Sequence, residues 1–147
     1  MDEILRRLGQ LEAERAITSV LYAYGEALDY GDRDLFLGCF TTDAHYEVSL
    51  RIAGVVPLDL HGHDDLRRYF DSHTHAPAAW HKHITANIAL RVDGDQASAT
   101  SYFVRIDPGG SSGPSSVHAS GRYLDELACD DAGTWRIRSR RCEVENL

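Results

Sequence analysis

Several features are scarce in this 147-residue chain, and each scarcity removes a class of protein. No stretch approaches the ~20 consecutive apolar residues of a membrane-spanning helix. The opening, Met1-Asp2-Glu3-Ile4-Leu5-Arg6-Arg7, lacks the basic start and apolar run of a secretory leader. The expectation is a cytoplasmic chain with no membrane partner. Basic residues are outnumbered, 15 Lys and Arg against 23 Asp and Glu, for a net charge of −8. Such a chain repels phosphate backbones, so nucleic acid is not an expected partner. The three cysteines, Cys39, Cys129 and Cys142, are odd in number and lack short metal-type spacing. They read as small apolar residues rather than a disulfide framework. No GxGxxG, P-loop or H-E-x-x-H occurs, and Ser111, Ser112, Ser115 and Ser116 form no G-x-S-x-G elbow.

What is present describes an ordinary globular domain, 43% apolar and 26% charged. With no internal repeat and no linker, residues 1–147 read as a single domain. Residues 3–30 are predicted to be helical: Ile17, Val20, Leu21, Tyr24 and Leu28 recur at steps of three and four. Gly31 suits a C-terminal cap, and Asp32 can start a short second helix through residues 34–40. Thr41-Thr42-Asp43 reads as a turn, 44–50 as a strand, 51–61 as ambiguous and 62–72 as a helix. Strands follow over 81–92, 96–107, 116–128 and 135–144, with a Gly/Ser loop at 108–115. Helices first and long antiparallel strands after them indicate an α+β domain. A curved, mainly antiparallel mixed sheet wrapped on three helices would form a cone with a pocket at its open end.

The strand beginning at His81 carries two faces. Ile84, Ala86, Ile88, Leu90 and Val92 want burial. His81, His83, Thr85, Asn87 and Arg91 offer polar groups to a pocket. Alternation alone does not choose between them. The apolar face from Ile84 to Val92 is more than three helices need to cover, which points to a homodimer.

Histidine is abundant, with eight residues. His61/His63, His73/His75 and His81/His83 form H-x-H pairs. The first two flank the 62–72 helix and read as solvated loop residues, so no metal site is expected. Asp29 is distinctive. It ends a helix, on the face of Tyr22 and Glu26, beside the negative end of the helix dipole, where a carboxylate is unfavourable without a reason. A partly desolvated carboxylate there can orient a histidine. Arg136, Arg138 and Arg140 alternate along the last strand and read as a basic stripe paired with acidic neighbours.

These pieces together resemble a known family. Ala13-Glu14-Arg15-Ala16-Ile17, Leu21-Tyr22-Ala23-Tyr24, Ala27-Leu28-Asp29-Tyr30-Gly31-Asp32 and Phe40-Thr41-Thr42-Asp43-Ala44 resemble the opening of SnoaL-like domains of the nuclear-transport-factor-2-like superfamily. Gly62-His63-Asp64-Asp65-Leu66, His83-Ile84-Thr85-Ala86-Asn87, Gly121-Arg122-Tyr123 and Gly133-Thr134-Trp135-Arg136-Ile137 fit in order. Within the superfamily the pattern is most similar to scytalone dehydratase and hexachlorocyclohexane dehydrochlorinase. That resemblance implies an aspartate at Asp29 orienting a histidine base at His83. It also implies a tyrosine at Tyr46 and a second histidine at His118. Leu28 stands where the dehydratase pattern has a further tyrosine.

The implied chemistry is a cofactor-free lyase or isomerase, of dehydratase, cyclase or dehydrohalogenase type, acting on a small, largely apolar substrate. His83 would take a proton from carbon, Tyr46 would hydrogen-bond a developing enolate, and His118 would protonate a leaving group. Tyr22, Tyr24, Phe36, Tyr69, Phe70, Trp80, Asn87 and Phe103 are the candidate pocket walls. No cofactor is expected. Two alternatives stay open: a non-catalytic ligand-binding or subunit-association module of the same fold, and a metal-assisted hydrolase built on the H-x-H pairs.

Overall fold

The computed structural model describes residues 2–111 and 113–147, so Ser112 of the Gly/Ser loop lies outside the described residues. The elements run α1 (Asp2–Tyr30), α2 (Arg33–Gly38), β1 (Phe40–Leu50), β2 (Leu58–His61), α3 (Gly62–Asp71), β3 (Lys82–Asp93), β4 (Gln96–Asp107), β5 (Ser116–Cys129) and β6 (Trp135–Asn146). The strands form one sheet in the order β2-β1-β6-β5-β4-β3. β1 and β6 pair in parallel and the other pairs are antiparallel. This is the expected α+β architecture with a mixed, mainly antiparallel sheet. No helix among the described residues is long and apolar enough to cross a membrane.

One face of the sheet and one stripe of each helix make the core. Ile17, Leu21, Tyr24 and Leu28 of α1, Phe36 of α2, and Leu66 and Phe70 of α3 pack on Phe40, Tyr46, Phe103, Tyr123 and Ile137. α1 stops at Gly31, whose φ of +74° is the left-handed conformation that glycine adopts without penalty. Its N–H donates to the Ala27 carbonyl at 2.9 Å, closing the last turn. Asp32 then caps α2 through Leu35 N–H at 2.9 Å. Thr41-Thr42-Asp43 is strand, not turn. A register shift between Phe40 and His45 lets β1 start four residues earlier than expected. The ambiguous 51–61 segment contributes the edge strand β2, paired to β1.

Two irregularities decide which side chains face inward. In β3 the register shifts between Ala86 and Ala89, and Asn87 takes φ +52°. Asparagine tolerates that left-handed conformation better than other non-glycine residues. A bulge of this kind reverses the alternation. Before it, His83 and Thr85 point inward while Ile84 is exposed; after it, Ile88, Leu90 and Val92 turn inward and pack against the core. The apolar face expected to run unbroken from Ile84 to Val92 therefore does not exist. In β6, Ile137 pairs with Leu127 but Ser139 pairs with Glu126, which adds one residue to β6. The extra residue turns Arg140 into the core and leaves Arg138 exposed. Arg136, Arg138 and Arg140 are thus not one stripe.

Gly121 sits at a further register shift between β5 and β6. A Cβ there would lie 1.9 Å from the Glu143 carbonyl oxygen. That atom belongs to the strand ladder and cannot rotate away. Gly121→Ala is expected to destabilise the fold by about 1–3 kcal/mol, the usual cost of overpacking. Urea unfolding checks this; an unchanged midpoint would show that the strands part without cost.

Candidate active site

The site is built where α1 meets the edge strand β3. Gly25 lets the helix approach closely, since a Cβ there would stand 3.1 Å from the His83 carbonyl oxygen. Asp29, one turn further on the same flank, then reaches His83. Its Oδ1 lies 2.7 Å from His83 Nδ1, and its Oδ2 accepts the His83 backbone N–H at 2.9 Å. The carboxylate thus binds an edge-strand N–H that has no neighbouring strand. It also gains the partners that compensate for its place at the negative end of α1. Asp29 is 3% exposed.

His81, just ahead of β3, is the second histidine here. Its Nε2 is 3.6 Å from Asp29 Oδ1, and its ring meets the His83 ring edge-on at 5.4 Å. Both of its ring nitrogens are buried without a hydrogen-bond partner among the described residues. Asp29, His81 and His83 place three ligating atoms within 4.8 Å of one another. A cation there would compete with the Nδ1–carboxylate hydrogen bond.

His83 opens onto a cavity of about 170 Å³. Tyr24, Tyr46, Tyr69, Phe103, Tyr123, Arg105, His73 and His118 share its wall, with Val48, Val144 and Leu147 as apolar surface. The structure therefore brings together His83, Tyr46 and His118 around one space, with Asp29 behind His83. Tyr46 is fully buried, and its hydroxyl lies 2.7 Å from that of Tyr24. Burial pushes both phenols well above their ordinary range, so both keep their protons. His118 is half exposed, with Nδ1 3.4 Å from Asp107.

Of the eight expected wall residues, Tyr24, Tyr69 and Phe103 line this cavity. Phe36 and Phe70 are core residues, with Phe36 stacked against Tyr69. Trp80 is exposed, beside the Lys82 ammonium. Tyr22 lies two residues from Tyr24 and so about 200° around the helix. It is exposed in a separate groove with Asn87. Tyr22 and Glu26 were expected to share a face with Asp29, but β3 covers that flank at Asp29 and leaves it open at Tyr22.

Two wall residues escaped the sequence reading, His73 and Arg105, while His81 was read only as one of several polar groups along its strand. Arg105 follows Phe103 by two on β4, an available signal. His73 is no solvated loop residue. Its Nδ1 lies 2.8 Å from the Tyr69 carbonyl oxygen and its ring packs edge-on to Tyr69. His63 and His75 are also half-buried, against the Phe40 and Ala76 carbonyls. Among the thiols, burial pushes Cys39 up to about 11 and Cys142 up to about 12, so neither is a thiolate nucleophile at neutral pH.

Burial holds His73 below the ordinary imidazole range, and burial with Arg105 and His83 does the same for His81. The unfolded chain therefore binds protons that the folded chain refuses. The stability these neutral rings contribute is complete above the unfolded value of ~6.5 and is lost as pH falls below it. The melting temperature is expected to drop between pH 7 and 5, and to drop less steeply in a His73→Gln, His81→Gln variant. Equal slopes would remove the explanation.

An α+β domain with helices on one face of an open six-stranded sheet defines the class: the cystatin-like, nuclear-transport-factor-2-like fold. Within it the chain belongs to the SnoaL-like domain family, whose sequence profile matches residues 9–141. Solved relatives agree. Rv3472 of Mycobacterium tuberculosis, a protein of unknown function, is similar at 29% identity and a TM-score of 0.78 over 94% of this chain and 75% of that one. An NTF2-like protein with a cystatin-like fold from Novosphingobium aromaticivorans is 24% identical, with a TM-score of 0.81 over 100% of this chain and 90% of its own. A candidate scytalone dehydratase from the same organism is 21% identical, with a TM-score of 0.70 over 95% of this chain and 87% of its own. No curated protein matches the sequence.

Proposed function

We propose that this chain is a cofactor-free lyase or isomerase in which His83, oriented by Asp29, removes a proton from carbon. The observation that carries the proposal is the 2.7 Å contact between Asp29 Oδ1 and His83 Nδ1 behind a tyrosine-rich cavity. A carboxylate accepts only, so Nδ1 is the donor and Nε2 carries the lone pair. A substrate carbon acidified by a neighbouring carbonyl or leaving group loses its proton to Nε2. The imidazolium that forms is stabilised by Asp29. The paired phenols of Tyr24 and Tyr46 keep a proton available for the oxygen that gains negative charge. In an elimination, the electron pair expels the leaving group, to which His118 at the rim can return a proton. In an isomerisation, His83 returns it to a different carbon.

The cavity is smaller than the roughly 300–1,000 Å³ of drug-sized sites, which favours a compact substrate. Its walls are apolar apart from the phenols, histidines and Arg105. A candidate scytalone dehydratase among the similar folds supports elimination as the first reaction to test. The test has two parts. Nitrogen NMR of the His83 ring should show Nδ1 protonated and Nε2 bare at neutral pH. A panel of cyclic β-hydroxy ketones, incubated in deuterated water, should show elimination or deuterium uptake beside the carbonyl. A His83 ring protonated at Nε2 instead would overturn the mechanism.

A further inference from the structure

A second histidine cluster lies on the opposite face of the sheet from the cavity. His45 precedes Tyr46 on β1, so its side chain leaves the sheet on the side away from the buried phenol. His45 and His61 are direct partners across the β1–β2 pair, and Asp59 precedes His61 by two residues on β2. Period two therefore puts all three on one face. The two imidazole rings stack at 4.6 Å with 9° between their planes. Both turn Nε2 toward a single carboxylate: His45 Nε2 is 2.5 Å from Asp59 Oδ1, and His61 Nε2 is 3.1 Å from Asp59 Oδ2. The ligating atoms all fall within 4.8 Å of one another.

We propose that His45, Asp59 and His61 form a binding site for a divalent transition-metal ion of the Zn²⁺ type. Two imidazole nitrogens and a carboxylate oxygen suit such an ion and not Mg²⁺ or Ca²⁺, which take oxygen ligands. Zinc holds these donors at ~2.0–2.2 Å, so tetrahedral neighbours around it stand ~3.3–3.6 Å apart, wider than the 2.5 and 3.1 Å between these atoms. The strand register has set the backbone, and the three side chains are exposed enough to rotate the remaining distance. Metal binding at such a site uses the carboxylate as an anion and the two imidazoles in their neutral form, so affinity falls in acid. Three protein ligands leave further positions to water.

The sequence hides this set because His61 and His63 look like the pair. In fact His63 enters α3 and points to the Phe40 carbonyl, while His61 stays on β2. His61 also abuts α3, and its N–H donates to Asp65 at 2.8 Å. The ion would clip the β2–α3 junction to β1. It would thereby steady the helix that carries Tyr69 to the cavity wall.

The test is calorimetric titration of Zn²⁺ into untagged, chelator-treated protein, with Mg²⁺ as competitor. One equivalent should bind, unaffected by Mg²⁺, and raise the melting temperature. His45→Ala, Asp59→Asn and His61→Ala should each weaken binding by at least about tenfold. His83→Ala should leave it unchanged, which separates this site from the one around Asp29. On the unsubstituted protein, Zn²⁺ should move the ring signals of His45 and His61 and spare those of His81 and His83. No saturable binding below about 1 mM, an affinity of about −4 kcal/mol, would overturn the proposal. So would binding that survives His45→Ala and His61→Ala, or ring signals that move only at His81 and His83.

Discussion

Asp29→Asn is expected to lower turnover by about 10²–10⁴-fold while leaving the fold intact, and His83→Ala to do at least as much. The reason lies in the donor count. Asp29 accepts two hydrogen bonds from His83, one from Nδ1 and one from the backbone N–H. An asparagine offers one oxygen and one NH₂ group, so the two bonds can no longer fall on separate accepting oxygens as they do on the carboxylate. If the amide nitrogen faces the ring, Nδ1 must become the acceptor and the proton moves to Nε2, which removes the base. If the oxygen faces the ring, the tautomer survives but the imidazolium loses its counter-charge. Either way the loss falls on kcat. Melting temperature separates this effect from unfolding, and nitrogen NMR reports the tautomer directly. Full activity in Asp29→Asn would leave His83 without an assistant and sink the dyad.

Arg140→Ala is expected to be the most destabilising single change in the chain. Arg140 and Asp125 are both fully buried and joined by two hydrogen bonds of 2.7 and 2.8 Å. The guanidinium is held between the Tyr24 and Tyr123 rings, 4.3 and 4.1 Å from their centres. Removing the arginine leaves a carboxylate in the core with no cation, at a cost of about 3–5 kcal/mol. For a chain of this size that lowers the melting temperature by on the order of 10 °C. The same arginine supports Tyr24, so cavity shape should suffer as well. Replacing both partners, Arg140→Leu with Asp125→Leu, should recover much of the loss, because no charge then remains buried. Differential scanning calorimetry decides. Single variants that melt with the unsubstituted protein would show that water reaches the pair.

Much of the candidate site was legible in the residues. Asp29 stood out because a carboxylate at a helix C-terminus needs a reason, and His83 because family resemblance placed a histidine opposite it. The structure puts their side chains 2.7 Å apart. Tyr46 and His118 were read only from their place in that resemblance, yet both reach the same cavity wall. The wall itself was harder. Tyr22 and Tyr24 are equally aromatic and two residues apart, but the helix turns them to opposite sides, and only packing shows which side is covered. Trp80 looked like a wall and is a surface residue.

What the sequence by itself determined is local. It contained the helix stripe that ends at Gly31, the α+β order of elements, and the family pattern that singles out Asp29 and His83. These follow from short-range periodicity and from backbone preferences, which neighbouring residues carry among themselves. The tertiary structure alone decided the facing of side chains beyond each bulge. At Asn87 it turned Ile88 and Leu90 inward, at Arg138 it buried Arg140 against Asp125, and on β2 it gathered His45, Asp59 and His61 on one surface. The physical reason is that a strand side chain repeats every two residues. One inserted residue exchanges the two faces, and the insertion is fixed by pairing with a strand far away in the chain.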